Sequence, residues 1–258
     1  MLRQQTLEKL SRLKLPAMVE SYRRLAESPD FSTRSPDELL GLLVDAEWTA
    51  RNNKRWKRLL QQSGMTQGPC MEDLSYQSSR KLDRNLLTLL AECSWIDHHR
   101  NLLITGKTGT GKTFLACALG HNACRFNYPV KYLRLPRLLT DLQIAKLDGS
   151  YNRYLSQLKK CRLLVIDDWG LASISAADSR DILEVIDDRI NWGSTILAAQ
   201  IPVADWYSLF ADPTLADACM DRLVHNSYRI ELEGDSLRRE PPMIAKTAAP
   251  PSSETFPL

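Results

Sequence analysis

Apolar residues recur along this chain with two different patterns, and the change between them divides the sequence. From Leu2 to about Leu60 they recur every three or four positions with charges between them, which predicts amphipathic helices. Beyond residue 81, helical patterns alternate with short apolar runs at 102–104, 130–135, 162–168, 194–200 and 227–232. Strands that alternate with helices are typical of a parallel sheet flanked by helices. We therefore predict an α/β domain preceded by a small all-helical domain.

Glycine, proline and composition set the predicted domain limits. Residues 61–76 contain Gly64, Gly68 and Pro69 in a polar setting, which indicates a loop or linker. The last stretch is rich in Pro, Ser and Ala, which is typical of disorder. We predict a helical N-terminal domain over residues 1–65, a linker over 66–80, the α/β domain over 81–240 and a disordered tail over 241–258.

A glycine-rich loop lies between the first predicted strand of the α/β domain and an Ala/Leu-rich helix. Its sequence, GKTGTGKT, has the spacing G-x-x-x-x-G-K-[ST]. In this context the loop N–H groups and the positive helix end bind the phosphates of a nucleoside triphosphate. Lys112 would contact the β- and γ-phosphates, and the Thr113 hydroxyl would bind Mg²⁺. The predicted nucleotide-binding residues are Gly106, Lys107, Thr108, Gly109, Thr110, Gly111, Lys112 and Thr113.

Two later strands end in polar side chains. The run RLLVIDDWG at residues 162–170 is a buried strand that ends in Asp167 and Asp168. Parallel strands bring their carboxyl ends to one edge of a sheet, so these acids would lie near the loop. Asp167 would hold Mg²⁺ through water or Thr113, and Asp168 would polarise the water that attacks the γ-phosphate. Gln200 ends another strand and can reach the same edge, although a polar residue that simply ends a strand explains it equally well.

Composition narrows the classes of function. No apolar run approaches the ~20 residues that span a bilayer, and the start of the chain lacks the apolar centre of a signal peptide, so we expect a cytoplasmic protein with no membrane partner. Six cysteines without a C-x-x-C pair argue against a zinc site and a disulfide framework. The net charge of +3 is only mildly basic, so contact with nucleic acid must come from local clusters.

One such cluster ends the helical N-terminal domain. Five basic residues crowd around Trp56 in about two and a half helical turns: Arg51, Lys54, Arg55, Lys57 and Arg58. They either contact a nucleic-acid backbone or form a solvated helix face, and the residues alone leave both explanations open. Arg222 is similarly ambiguous. It is either an ordinary cation at a helix C-terminus or one that reaches an anion on a neighbouring subunit.

The phosphate loop, the acid pair, Gln200 and the run LADACMDRLVHNSYRIEL at residues 215–232 together resemble the IstB family of insertion-sequence transposition helper ATPases. These are AAA+ proteins close to the DnaC helicase loaders and DnaA initiators, and the resemblance extends to about Arg239. It implies a P-loop NTPase (AAA+) core that uses ATP and Mg²⁺. It also implies a homo-oligomer, ring or spiral, that assembles on duplex DNA, selects or remodels the target, recruits or activates a transposase, and hydrolyses ATP to ADP and phosphate.

The resemblance also implies roles for individual residues. Gln200 resembles sensor I, Arg222 the arginine finger that completes a neighbour's ATP site, and Arg238 sensor II. Asp168 stands where most AAA+ proteins have glutamate, as is usual in this branch. The resemblance favours DNA as the partner of the cluster at residues 51–58. It implies a second DNA-facing group, for which a solvated helix face is an equally good explanation: Lys146, Arg153, Lys159 and Lys160.

Two other functions are compatible with these residues. A DnaC-like replicative helicase loader would bind single strands and contact a helicase through its N-terminal unit. A nucleotide-gated DNA-binding scaffold would use ATP only for assembly. A small-molecule kinase is disfavoured, because no acceptor-site signature accompanies the phosphate loop.

Overall fold

The computed structural model describes residues 2–65, 68–74 and 82–236. Helices and strands alternate from residue 101 onward, after a helical N-terminal region. The helices in these ranges are α1 (Leu2–Arg12), α2 (Pro16–Ala26), α3 (Pro36–Ser63), α4 (Arg84–Ala91), α5 (Ser94–Asp97), α6 (Lys112–Arg125), α7 (Leu135–Leu147), α8 (Tyr151–Lys160), α9 (Ala176–Asp187) and α10 (Pro213–Val224). The strands are β1 (Asn101–Gly106), β2 (Val130–Arg134), β3 (Leu163–Trp169), β4 (Ser194–Ala199) and β5 (Ser227–Leu232).

The five strands form one parallel sheet in the order β2-β3-β4-β1-β5. This confirms the predicted α/β architecture. Because β4 lies between β1 and β3, the carboxyl ends of all three strands meet at the same edge of the sheet. The loop after β1, the acids of β3 and the residue after β4 are therefore neighbours.

Successive side chains of each strand point to opposite faces, so the sheet has two cores. Leu102 and Ile104 pack with α4, α6 and the end of α3, whereas Leu103 packs on the other face with α7 to α10. Each core is continuous beneath its helices, and both hold the strands in place. The cysteines form no disulfide in the described residues, and most are buried packing residues: Cys93, Cys117, Cys124 and Cys219.

The N-terminal region is organised by α3, which has 28 residues and is about 42 Å long. A capping box starts it, in which the Glu38 N–H donates to Ser35 Oγ at 3.2 Å and the Ser35 N–H donates to Glu38 Oε2 at 2.9 Å. Gly64, with φ +77°, ends it. The first half of α3 packs on α2, while Leu59 near its end is buried in the core of the sheet domain.

The structure covers only some of the predicted domain and helix boundaries. Residues 66, 67 and 75–80 of the predicted linker and the whole predicted tail lie outside the described residues, and the division into domains stays a prediction. Met65, just before the predicted linker, and Leu74, the last residue of its described part 68–74, are buried in the first core. The helix predicted over 176–192 ends at Asp187, and a turn with Asn191 at φ +58° follows. Within the described ranges, no helix combines the length and apolar character that crossing a bilayer would demand.

Candidate functional site

The loop between β1 and α6 has a backbone that requires glycine. Gly106, Gly109 and Gly111 have φ values of +148°, +86° and +95°. A Cβ on Gly106 would lie 2.4 Å from the Leu232 carbonyl oxygen, and one on Gly109 would lie 2.0 Å from Ser236 Oγ. The segment that follows β5 therefore packs closely against the outside of the loop.

Lys112 opens α6 and is buried, with 8% of its surface exposed. Its Nζ donates hydrogen bonds to the carbonyl oxygens of Gly106 and Lys107 at 2.7 and 2.8 Å. The ammonium group is thus held over the loop, on carbonyl oxygens that it can exchange for phosphate oxygens. Thr110 Oγ1 donates to the Lys107 carbonyl at 2.8 Å and closes the turn of the loop.

The carboxylate of Asp167 has three hydrogen-bond donors around it. Thr113 Oγ1 and the Tyr132 hydroxyl donate to Oδ2 at 2.7 and 2.8 Å, and the Asp168 N–H donates to Oδ1 at 2.9 Å. Asp167 is 3% exposed. A carboxylate and a hydroxyl this close supply the oxygen ligands that Mg²⁺ prefers, so the residues fit the predicted metal. Burial, followed by the charge of Asp167, raises the pKa of Tyr132.

The second acid of β3, Asp168, has an unusual backbone conformation and an arginine partner. Its φ of +60° is uncommon for residues other than glycine. Arg134, at the end of β2, holds Nε 3.5 Å from Asp168 Oδ2. The Arg134 side chain is largely exposed and that of Asp168 partly exposed, so the contact can break and reform.

Gln200 reaches the phosphate loop. Its Oε1 accepts a hydrogen bond from Thr108 Oγ1 at 2.8 Å. A cavity of about 290 Å³ lies between Gln200, the loop and the two acids. The structure thus brings the loop, Asp167, Asp168 and Gln200 around one space, as the parallel sheet predicts.

Arg222 lies near the amino-terminal ends of the strands, at the opposite end of the sheet from the phosphate loop. Its carbonyl oxygen accepts a hydrogen bond at 3.2 Å from the side chain of Asn101, which begins β1, whereas Gly106 ends it. Five residue steps along a strand separate these edges by about 17 Å. The Arg222 guanidinium forms an ion pair with Asp187, and its Nη1 donates to the Ala218 carbonyl at 2.9 Å. Arg238 lies outside the described residues.

The basic residues of α3 and of the α7–α8 segment form separate groups. The α3 group lies on the side of the first core, whereas α8 packs on the other face of the sheet through Leu155 and Leu158. Arg51 is bonded within the N-terminal region, to Glu47 Oε1 and the Lys14 carbonyl, both at 2.8 Å. The rest of the α3 group is exposed and has no acidic partner in the described part of the chain: Lys54, Arg55, Lys57 and Arg58.

Trp56, at the centre of the α3 group, packs against the first core, and the guanidinium of Arg125 lies 5.9 Å from its ring centre. It therefore anchors α3 to the sheet domain.

Two of the four predicted α7–α8 residues are engaged. Lys146 forms an ion pair with Asp181 and lies 5.1 Å from the ring centre of Tyr151. Lys159 Nζ is 3.6 Å from Asp188 Oδ1.

The other two, Arg153 and Lys160, are exposed, and their spacing of seven residues puts them on one face of α8. They are the members of this group that remain available to an anion.

Reasoning from the sequence missed Tyr132 and Arg134, which contact the two acids from β2. Their signal was weak because an aromatic residue in a strand is ordinarily a packing residue. Only the pairing of β2 with β3, which sets Arg134 beside Asp167, brings them to the site.

The fold and this site define a class, the P-loop NTPases of the AAA+ type. Among solved structures with this fold, AMPPCP-bound DnaA from Aquifex aeolicus matches with a TM-score of 0.56 and 19% identity, over 67% of this chain and 52% of DnaA. The DnaC helicase loader matches with a TM-score of 0.52 and 18% identity, over 63% of this chain and 95% of the loader. At these identities the likeness concerns the fold alone.

The family follows from the sequence comparisons. Residues 8–244 match the model of the IstB-like ATP binding proteins, and the chain belongs to this family. The insertion sequence ATP-binding protein y4pL of Sinorhizobium fredii is 42% identical over 239 residues, which are 93% of this chain and 98% of the relative. The ATP-binding protein of insertion sequence IS1162 of Pseudomonas fluorescens is 47% identical over 203 residues, 78% of this chain and 88% of the relative.

Proposed function

We propose that this protein is an ATP-hydrolysing regulator of transposition that oligomerises on duplex DNA and recruits or activates a transposase. Its relatives are described as ATP-binding proteins of insertion sequences, which supports both the nucleotide and the setting. ATP and Mg²⁺ would be its cofactors. Duplex DNA, the transposase and further copies of the chain would be its partners.

The position of Arg222 is the observation that supports the proposed oligomerisation. The phosphate loop, Asp167 and Asp168 lie at one edge of the sheet, and Arg222 lies about 17 Å away at the other. An arginine side chain cannot span that distance, so Arg222 has no access to the γ-phosphate of its own subunit. Head-to-tail stacking of subunits would bring it to the phosphates of the next one.

Within one subunit, the remaining residues have separate tasks. Lys112 would exchange its two carbonyl partners for the β- and γ-phosphates. Thr113 and Asp167 would hold Mg²⁺, which neutralises charge on the phosphates when bound. Asp168, released from Arg134, would accept a proton from the attacking water, and Gln200 would orient that water or the γ-phosphate.

Contact with DNA would come from the unpaired cations. Lys54, Arg55, Lys57 and Arg58 on α3 and Arg153 and Lys160 on α8 are exposed and would neutralise backbone phosphates without reading sequence. Lys146 and Lys159 would contribute only after leaving Asp181 and Asp188.

Mixing two inactive variants tests the shared site. We expect Arg222→Ala to bind ATP normally and to lose about 10³-fold in turnover, and Asp168→Asn to be inactive as well. In equimolar mixtures, about one quarter of the interfaces would pair an intact Asp168 with an intact Arg222, so activity should recover to about that fraction. A double variant lacking both residues is the matched control and should restore nothing to Arg222→Ala. Mixtures without recovery would contradict a finger supplied between subunits.

Measurements of ATP turnover also separate the alternative functions. Turnover stimulated by duplex DNA supports the transposition regulator, whereas stimulation by single strands together with binding to a helicase supports a loader of the DnaC type. Equal, very slow single-turnover rates for the unaltered chain and Asp168→Asn would indicate a scaffold that uses ATP only to assemble.

A further inference from the structure

The side chain of Arg222 is held at two of its three guanidinium nitrogens. Nε forms an ion pair with Asp187 Oδ1, and Nη1 donates a hydrogen bond to the Ala218 carbonyl at 2.9 Å. Two attachments fix the orientation of the planar guanidinium as well as its position. Nη2 has no partner in the described part of the chain, and 31% of the side chain is exposed. Nη2 is therefore the nitrogen of Arg222 that can reach an anion outside this subunit.

The two attachments of Arg222 differ in kind. Ala218 lies four residues earlier on α10, so that contact stays within one helix. Asp187 is the last residue of α9, which packs along α10. Arg222 also borders a cavity of about 280 Å³ that Asn191 and Asn226 line as well. An arginine without Asp187 would thus have room to turn about its single remaining contact.

The end of α9 that carries Asp187 is anchored from below by Arg189. This side chain is 3% exposed, and its Nη1 donates to the carbonyls of Leu158 and Cys161 at 2.7 and 2.9 Å. Its Nη2 donates to the Ser194 carbonyl at 2.6 Å. These bonds tie the end of α9 to the end of α8 and to the start of β4. Asp187 is therefore a carboxylate on a rigid support.

Stability does not explain an acid at this position. Asp187 and Asp188 lie at the C-terminus of α9, where the helix dipole disfavours negative charge. The Asp187 side chain is 44% exposed, and an ion pair so open to water contributes little to folding. What the carboxylate adds is the orientation of Arg222.

We infer that Asp187 is a positioning residue for the arginine that completes the ATP site of the neighbouring subunit. It holds Nε so that Nη2 is presented to the phosphates of that subunit before they arrive. A guanidinium that is oriented beforehand needs no rearrangement when charge develops on the γ-phosphate. This inference rests on the function proposed above for Arg222.

Turnover and ATP affinity of the full chain, measured separately at saturating duplex DNA, test this role. We expect Asp187→Ala to lower turnover about tenfold or more and to leave the Kd for ATP within about twofold, because the arginine remains but its orientation is lost. Asp187→Asn keeps an oxygen beside Nε and loses only the charge of a partly exposed pair, so it should retain at least about one fifth of the turnover.

Asp188→Ala is the matched control. Asp188 is the next residue of the chain and its carboxylate contacts Lys159, at 3.6 Å, rather than Arg222. This variant should turn over ATP like the unaltered chain. If Asp187→Ala were as active as Asp188→Ala, or more active than the unaltered chain, the positioning role would be overturned.

Two further measurements distinguish positioning from other effects. The double variant D187A/R222A should be no slower than Arg222→Ala, because Asp187 acts only through that arginine, and a further loss would overturn the inference. Asp187→Ala should melt within about 3 °C of the unaltered chain, whereas a larger fall would indicate a structural role instead.

The mixing experiment separates failure of the inference from failure of the proposed function. Mixtures of Arg222→Ala and Asp168→Asn that do not recover would remove the proposed function and this inference with it. Recovery in those mixtures, together with unchanged turnover in Asp187→Ala, would overturn the role of Asp187 alone.

Discussion

Replacing Tyr132 by phenylalanine removes one of the three donors around the carboxylate that we assign to Mg²⁺. The Tyr132 hydroxyl donates to Asp167 Oδ2 at 2.8 Å, and Thr113 Oγ1 donates to the same oxygen at 2.7 Å. The phenol is held in β2, the strand next to Asp167, so it fixes the rotation of the carboxylate before the metal arrives. Without the phenol, the Asp167 carboxylate keeps two donors, the Asp168 N–H and the Thr113 hydroxyl. The hydroxyl must itself move to the metal.

The expected loss of stability follows from the burial and the charge of this hydrogen bond. A hydrogen bond to a charged group contributes about 1.5–3 kcal/mol, and Tyr132 is only half-buried, so we expect the free energy of unfolding to fall by about 1.5–2 kcal/mol. For a domain of this size, that lowers the melting temperature by about 3–8 °C. Loss of a partner that orients a metal ligand weakens metal binding by tenfold or more, and we expect a rise of about tenfold in the apparent Kd for Mg²⁺.

Two measurements and one matched variant separate positioning from stability. Melting is followed by scanning fluorimetry, and Mg²⁺ is titrated into the chain with a fluorescent ATP analogue. Tyr128→Phe is the control, because the Tyr128 hydroxyl also donates to a carboxylate, Asp97 Oδ2 at 2.5 Å, and its ring packs against the same core. The control should lose stability without any change in the Mg²⁺ titration. If Tyr132→Phe behaved in the same way, the assignment of Tyr132 as a positioning residue would be refuted.

Three further variants have expected outcomes. Lys112→Ala should abolish ATP binding in a filter or fluorescence assay, because the β- and γ-phosphates lose their cation; retained nanomolar affinity would contradict the site. Gly109→Ala should weaken ATP at least tenfold, because its Cβ clashes with the segment after β5, whereas Gly149→Ala, at a similar φ with open space around it, should bind normally. Arg189→Met should lower the free energy of unfolding, measured in urea, by about 3 kcal/mol or more, because three backbone carbonyls lose a buried donor. Arg180 is exposed, so Arg180→Met should have no effect. Equal effects of the two variants would show that burial of the guanidinium is unimportant.

The phosphate loop could be predicted because its chemistry is local. Gly106, Gly109 and Gly111 have positive φ within a single turn, so the residues that shape the loop are neighbours in the chain. The helices and strands follow from apolar periodicity for the same reason. The position of Asp167 could also be predicted, because any parallel sheet brings the carboxyl end of its strand to the loop.

Other parts of the site depended on contacts that are distant in sequence. The order β2-β3-β4-β1-β5 decides that β2 lies beside β3, and hence that Tyr132 and Arg134 contact the acids. Nothing in either residue type distinguishes such a role from packing or from a solvated strand end. For the basic residues, the sequence supplied the charge, and the structure showed which of them already have acidic partners.

By itself, then, the sequence determined the element types, the nucleotide-binding loop and the family resemblance, because each is encoded within a few residues or by a fixed spacing. Only the tertiary structure decided that Arg222 lies at the opposite end of the strands from the loop, and that α3 leaves Trp48 exposed. The physical reason is that strand order and the covering of a helix face depend on long-range packing, which local periodicity does not specify.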